Sequence, residues 1–177
     1  MDNYKTISTE RVFKGRIIDV DRDIIILPDG KEAVRDVVVH PGGACVLPVD
    51  NGEIIFVRQY RHPLKRYTLE IPAGLLEPGE EPIDCAKREL EEETGYTSDD
   101  ITPFTYIHSS PGFTSENIHI FFAENLKPGK KNPDDDEFVD IGRYPIDKAL
   151  EMVCGGKVND GKTVAAVLGY CLKNCLY

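Results

Sequence analysis

The sequence predicts a mixed α/β fold with a β-rich N-terminal segment, and three observations support this. Short β-branched runs fill residues 1 to about 40 and recur further on. Apolar residues at helical spacing close the chain. Strand patterns lie before, between and after the helical ones, as in a mixed α/β domain.

Arg16–Asp21, Asp23–Leu27 and Val34–Val39 read as strands,. Pro28-Asp29-Gly30 reads as a turn, because proline presets φ and glycine accepts positive φ,. Pro41-Gly42-Gly43 breaks the pattern and marks a boundary between an N-terminal sheet and the main domain,. Ala44–Pro48 and Glu53–Gln59 are strands joined at Asp50-Asn51-Gly52, a strong hairpin signal,. Thr68–Ile71 is a short strand, Ala73–Glu81 a loop and Pro82–Thr94 a helix, with Pro at its first turn and Gly95 past its end,. Strands follow at Ile101–His108 and Ile118–Ala123, then a polar acidic loop at Pro128–Glu137 and a last strand at Val139–Arg143. Helices at Pro145–Cys154 and Lys162–Cys175 end the chain. In the second, Val164, Val167, Leu168, Cys171, Leu172 and Cys175 keep helical spacing,.

A chain of 177 residues with 41% hydrophobic residues suits one globular domain, or one domain with a small extension,. A net charge of −10 disfavours non-specific binding to nucleic acid or to an anionic membrane,. No stretch approaches the ~18 apolar residues of a membrane span. The N-terminal residues lack the layout of a signal peptide, so the expected location is the cytoplasm,. The five cysteines form no CxxC pair, which argues against a zinc ribbon; they are expected as small buried hydrophobes,.

The chemistry centres on Arg88-Glu89-Leu90-Glu91-Glu92-Glu93-Thr94-Gly95. On a helix, Glu89 meets Glu92 at i+3 and Glu93 at i+4, where like charges repel. These carboxylates also sit at the helix C-terminal end, where the macrodipole is negative. Ile83, Ala86 and Leu90 form a separate stripe that can face a core,. Taken alone, such a run is either a solvated acidic face or a divalent-cation site built from hard oxygen ligands. The preceding loop favours the second: Pro72-Ala73-Gly74 lets backbone approach the helix, and Glu80 can pair with Arg88 across the junction.

Gly74, five residues, Glu80, seven residues, then Arg88-Glu89-Leu90-x-Glu92-Glu93-x-Gly95-Tyr96 resembles the catalytic box of the Nudix hydrolases at every fixed position. The resemblance implies an α/β/α Nudix sandwich with a mixed sheet, preceded by a small antiparallel N-terminal β-sheet. The expected division is residues 1–42 for the N-terminal sheet, with dimerisation and substrate roles, and 43–177 for the hydrolase domain. It also implies that Glu89, Glu92, Glu93 and the Ala73 carbonyl hold Mg²⁺, for which Mn²⁺ can substitute. Arg88 would orient Glu89, and Glu80 would brace the loop.

Further stretches look like the ADP-ribose pyrophosphatase branch: Arg35–Gly42, Val57–Arg61, Leu69–Gly74, Ser110–Glu116, and Pro111 placed sixteen residues past Gly95. The branch implies an intertwined homodimer through the N-terminal sheet and a small nucleoside diphosphate sugar as substrate. Arg61 would clamp a phosphate. Arg35, beside Asp36, would reach the base, where a guanidinium plane can stack. The chain lacks Trp, so stacking used by some relatives must come from other residues. The mobile acidic loop supplies a carboxylate base in this branch, which points to Glu137, with Glu116 as a second candidate. His108 and His119 are expected to be structural.

The expected reaction is Mg²⁺-dependent hydrolysis of ADP-ribose to AMP and ribose 5-phosphate. One competing expectation is a Nudix pyrophosphatase for another nucleotide sugar such as GDP-mannose; nucleoside triphosphates and NADH fit less well. Another is a non-catalytic nucleotide sensor, but such a module would be expected to lose box glutamates, and this chain keeps them.

Overall fold

The computed structural model describes residues 4–132 and 138–176. The chain divides into two compact units. One comprises the residues up to Gly42 together with His108–Asn117, and the other Gly43–Ile107 with the chain from Ile118 on.

The first unit is an antiparallel sheet of β1 (Lys5–Lys14), β2 (Asp19–Ile26) and β3 (Glu32–Val39), in that order. The expected boundaries shift here. Lys5–Lys14, which carries no clear alternation, is a full strand because it pairs along β2 from Lys5↔Ile26 to Lys14↔Asp19. Arg16–Ile18 is not strand but the reversal before β2, where Gly15 N–H donates to the Ile18 carbonyl at 3.0 Å. The two runs around Asp21 and Asp23 therefore belong to one strand. The turn at Pro28–Gly30 forms as expected: Gly30 N–H donates to Leu27 O at 2.9 Å, and Gly30 has φ +85°. Segment 108–117 docks on β3 through Val38, whose N–H donates to Phe113 O and whose carbonyl accepts from Ser115 N–H.

The second unit holds β4 (Gly43–Asp50), β5 (Glu53–Arg61), β6 (Arg66–Glu70), β7 (Ala73–Leu75), α1 (Pro82–Thr94), β8 (Tyr96–Thr97), β9 (Asp100–His108), β10 (Asn117–Glu124), β11 (Lys127–Pro128), β12 (Asp140–Pro145), α2 (Ile146–Cys154) and α3 (Gly161–Lys173). The main sheet runs β12-β5-β4-β10-β9, with β6 added to β5 and β7 to β4. It is mixed: β10 lies parallel to β4, whereas β5 and β7 lie antiparallel to β4. The β4–β5 turn is a two-residue loop in which Asn51 and Gly52 both have positive φ, 51° and 77°, matching the right-handed strand twist,.

Both faces of the sheet are covered, and β4 shows how. Its Ala44 and Val46 pack with Cys85, Ala86 and Leu90 of α1. Its Cys45 and Leu47 pack with Ala149, Met152 and Val153 of α2 and with Val167 and Tyr170 of α3. Hence β4 is an unbroken buried run rather than an alternating one,. The result is the expected α/β/α sandwich. Ala73–Leu75, read from sequence as loop, is strand because Cys45 and Ala44 offer it partners at Ala73 and Gly74. Cys154 and Cys175 are exposed, so only Cys45, Cys85 and Cys171 behave as buried hydrophobes. Among the described residues, no helix is long and apolar enough to cross a membrane.

Candidate active site

Helix α1 places its apolar stripe against the sheet, and that contact aims its acidic stripe at β7. Gly95 ends the helix in the left-handed conformation, with its N–H donating to Glu91 O at 2.8 Å,. Glu89 and Glu93 are nearly buried, at 7% and 3% exposure. Carboxylates that deep in a fold require specific partners.

Arg88 is the first. Its Nε and Nη2 form a fork to Glu80 at 2.9 and 3.0 Å, and Nη2 also donates to the Leu75 carbonyl at 3.1 Å. Its Nη1 donates to Glu89 at 2.5 Å and to Glu92 at 3.1 Å. One guanidinium thus ties loop, strand and helix together, and the pairing across the loop–helix junction is present. The Glu80 hydrogen bonds and the charge of Glu89 outweigh desolvation and raise the Arg88 pKa, while Arg88 holds the Glu80 carboxyl below its usual range,. Glu80 also accepts from Glu77 N–H at 3.0 Å, which braces the loop.

The strand β7 is the second partner. Ala73 N–H donates to Glu93 Oε2 at 3.1 Å. Gly74 faces Glu89 so closely that a Cβ there would stand 1.7 Å from Oε1 and 2.2 Å from Cδ. A side chain there would force the carboxylate, the far end of Glu89, to shift. Cys85 donates its thiol toward the carbonyls of Gly74 and Leu75; burial pushes its pKa up to about 12, so it acts as a neutral donor.

Among the described residues, no three His, Cys, Asp or Glu side chains converge at metal-ligand spacing, and Arg88 Nη1 donates to both Glu89 and Glu92. The donor chemistry nonetheless suits a hard divalent cation. Glu80, Glu89, Glu92 and Glu93 carry four carboxylates to one Arg88 guanidinium. Glu89 and Glu93 also lie against the Ala73–Gly74 backbone, with the Glu89 carboxylate filling the space that a side chain on Gly74 would take,.

The remaining expected residues are placed as follows. Arg61 ends β5 and forms a fork to Glu70, at 2.8 and 2.7 Å. Arg35 and Asp36 lie on β3: Arg35 donates to the Val34 carbonyl at 2.9 Å, and Asp36 accepts from Arg22 at 2.8 Å. Glu116 lies in the first unit, 3.5 Å from His40 Nε2. His40 Nδ1 accepts from Gly42 N–H at 3.0 Å, which fixes the ring with its Nε2 edge toward Glu116. Glu137 lies outside the described residues. His119 packs against the Tyr106 ring, with centroids 5.9 Å apart.

Sequence reasoning missed one cluster. Glu70, at 3% exposure, meets Arg61, Thr68 and the buried Lys162, which in turn contacts Asp160. An acidic residue set between Leu69 and Ile71 was the available signal, since a carboxylate buried there demands a cation,.

This fold and this carboxylate arrangement define a family. A family model described as the NUDIX domain matches residues 39–153, and one described as the nucleoside diphosphate sugar hydrolase N-terminal domain matches residues 4–38. The chain belongs to the Nudix family. It is 46% identical over 175 residues to an ADP-ribose pyrophosphatase of Bacillus subtilis (strain 168), covering 97% of this chain and 95% of that protein. It is 43% identical over 166 residues to a methanol dehydrogenase activator of Bacillus methanolicus, covering 92% and 90%. A crystal structure of an ADP compounds hydrolase superimposes with a TM-score of 0.89 at 22% identity, over 100% of this chain and 98% of that one, which shows the shared fold.

Proposed function

We propose that this protein hydrolyses the pyrophosphate bond of ADP-ribose, in a magnesium-dependent reaction that yields AMP and ribose 5-phosphate. The observation that carries the reading is the seat of Glu89 in the space opened by Gly74, joined by Arg88 to Glu80 and Glu92. The likeness to a named ADP-ribose pyrophosphatase over nearly the full length of both chains supports the substrate.

Glu89, Glu92, Glu93 and the Ala73 carbonyl would hold Mg²⁺, or Mn²⁺ in its place. A divalent ion held by these groups would supply charge neutralisation for the pyrophosphate and lower the pKa of a water. Arg88 keeps the glutamates aimed, and Glu80 keeps Arg88 aimed. Arg61 presents its guanidinium to the phosphate farther from the carboxylates. Arg35, beside Asp36, offers a plane for the base. Water attacks one phosphorus, the bridging P–O bond breaks, and the water proton passes to a carboxylate, Glu137 or Glu116.

The active form is a homodimer through the N-terminal sheet, acting in the cytoplasm. Ile7, Val12, Phe13 and Val34 expose apolar side chains on that sheet, a surface that favours a partner,.

The test is a substrate panel. The protein is incubated with Mg²⁺ and ADP-ribose, GDP-mannose, NADH or dGTP, and phosphate is measured after phosphatase treatment. ADP-ribose should give the highest kcat/KM. Preference for GDP-mannose would overturn the substrate, and no turnover of any member would overturn the enzyme.

A further inference from the structure

A second charged cluster lies inside the same unit, where it joins β5, β6 and the start of α3. The Glu70 carboxylate closes β6. It accepts from the Thr68 hydroxyl at 2.5 Å, from the Arg61 fork at 2.8 and 2.7 Å, and from Lys162 Nζ. Lys162, at 8% exposure, also donates to Asp160 at 3.0 Å. Asp160 caps α3 by accepting from Thr163 N–H at 3.1 Å and from its hydroxyl at 2.6 Å. The Thr163 hydroxyl oxygen then accepts from Ile71 N–H at 3.0 Å. Two anions meet two cations, so the cluster is neutral.

Each end of this cluster reaches a part of the proposed machinery. Arg61 is the residue proposed to take phosphate, and half of its guanidinium is committed to Glu70. Its direction is therefore set by where Glu70 stands. Ile71 lies two residues before Ala73, whose N–H holds Glu93. Val46 N–H donates to the Pro72 carbonyl at 3.0 Å, so that turn is gripped from β4 as well as from α3. Lys162 itself is buried behind Glu70.

We infer that Lys162 is a positioning residue: through Glu70 it aims Arg61, and with Asp160 and Thr163 it holds the turn that carries Ala73 and Gly74. Its charge matters as well as its bulk. Without the ammonium, the buried pair of Glu70 and Asp160 would face Arg61 alone. The guanidinium would be drawn inward, and the α3 cap would lose its second tie. Supporting groups of this kind commonly change activity ~10–100-fold when removed. The inference rests on the hydrolase reading above.

The experiment compares Lys162→Met, which keeps length and removes charge, with Lys162→Arg, which keeps charge. Both are assayed with Mg²⁺ and ADP-ribose well below their melting temperatures. Lys162→Met is expected to lower kcat/KM at least tenfold, with KM rising as Arg61 turns away, and Lys162→Arg is expected to recover most of the loss. An unchanged kcat and KM in folded Lys162→Met, with only Tm lowered, would make the residue structural and overturn the inference. Equal losses in both variants would also overturn it, because charge would then be irrelevant. If Lys162→Met does not fold, Asp160→Asn is judged by the same tenfold criterion. Failure of the hydrolase reading shows separately, as wild-type protein that turns over no member of the panel.

Discussion

The carboxylate of Glu89 occupies the space that a side chain on Gly74 would need, with Oε1 standing 1.7 Å from the position of a Cβ. Strand β7 and helix α1 are thereby pressed together at one point, and the acid that results is 7% exposed. Replacing Gly74 by Ala would force the Glu89 carboxylate out of its present position, from which it accepts the Arg88 hydrogen bond. We expect kcat to fall by ~100-fold or more, since a displacement near 1 Å in a catalytic group costs that much. Far-UV circular dichroism should remain that of the wild type. Activity within a few-fold of wild type would show that this close approach has no catalytic part.

Glu93 is held by Ala73 N–H at 3.1 Å, and Gln keeps an oxygen to accept that bond while removing the charge. Glu93→Gln should lower kcat by orders of magnitude with little change in Tm, because the geometry survives and the hard anionic ligand does not. Steady-state kinetics beside a thermal melt check both halves. Activity that survives would remove Glu93 from the proposed metal-binding set.

The proton acceptor is decided by comparing two substitutions. Glu137 is the favoured base, and Glu116 the alternative, beside His40 Nε2 at 3.5 Å. Loss of a general base typically costs ~10²–10⁴-fold. We expect Glu137→Gln to show the larger loss in kcat and Glu116→Gln the smaller. The reverse order in a pair of kinetic runs transfers the role to Glu116.

Glu70 links acidity to stability. Burial opposes its ionisation, but the hydrogen bonds of Arg61 and the charge of Lys162 prevail and hold its pKa well below the ordinary carboxylate range. A group lowered on folding contributes its stability fully above the unfolded value, about 4.3 for Glu, and loses it as pH falls from there toward the folded value. The Tm of the wild type should therefore drop steeply below about pH 4.3. In Glu70→Gln, already less stable at pH 7, the slope through the same interval should be shallower. Parallel slopes in a melting series would show that Glu70 does not carry this linkage.

Much of this was legible along the chain. The helix over Pro82–Thr94 has its ends marked by Pro82 and Gly95, and the hairpin at Asn51-Gly52 requires positive φ, so each signal is local. The pairing of Glu80 with Arg88 was legible as well, because a short loop and helical spacing bring them together. The strand at Lys5–Lys14 was not, since its identity lies in the partner β2 rather than in its own pattern. The same holds for Ala73–Leu75, which is strand only because β4 runs beside it.

The sequence by itself determined the family, the sandwich and the acidic helix. The helix follows from periodicity within one segment, whereas the family and the sandwich followed from the resemblance carried by Gly74, Glu80, Arg88–Glu93 and Gly95 at their spacing. Only the tertiary structure decided that Gly74 yields its space to Glu89, that Arg61 is forked to Glu70, and that Lys162 backs them from a distant helix. Residues 70 and 162 are joined by no periodicity. What brings them together is the burial of a carboxylate, which stays charged inside a fold only where the packing delivers a cation.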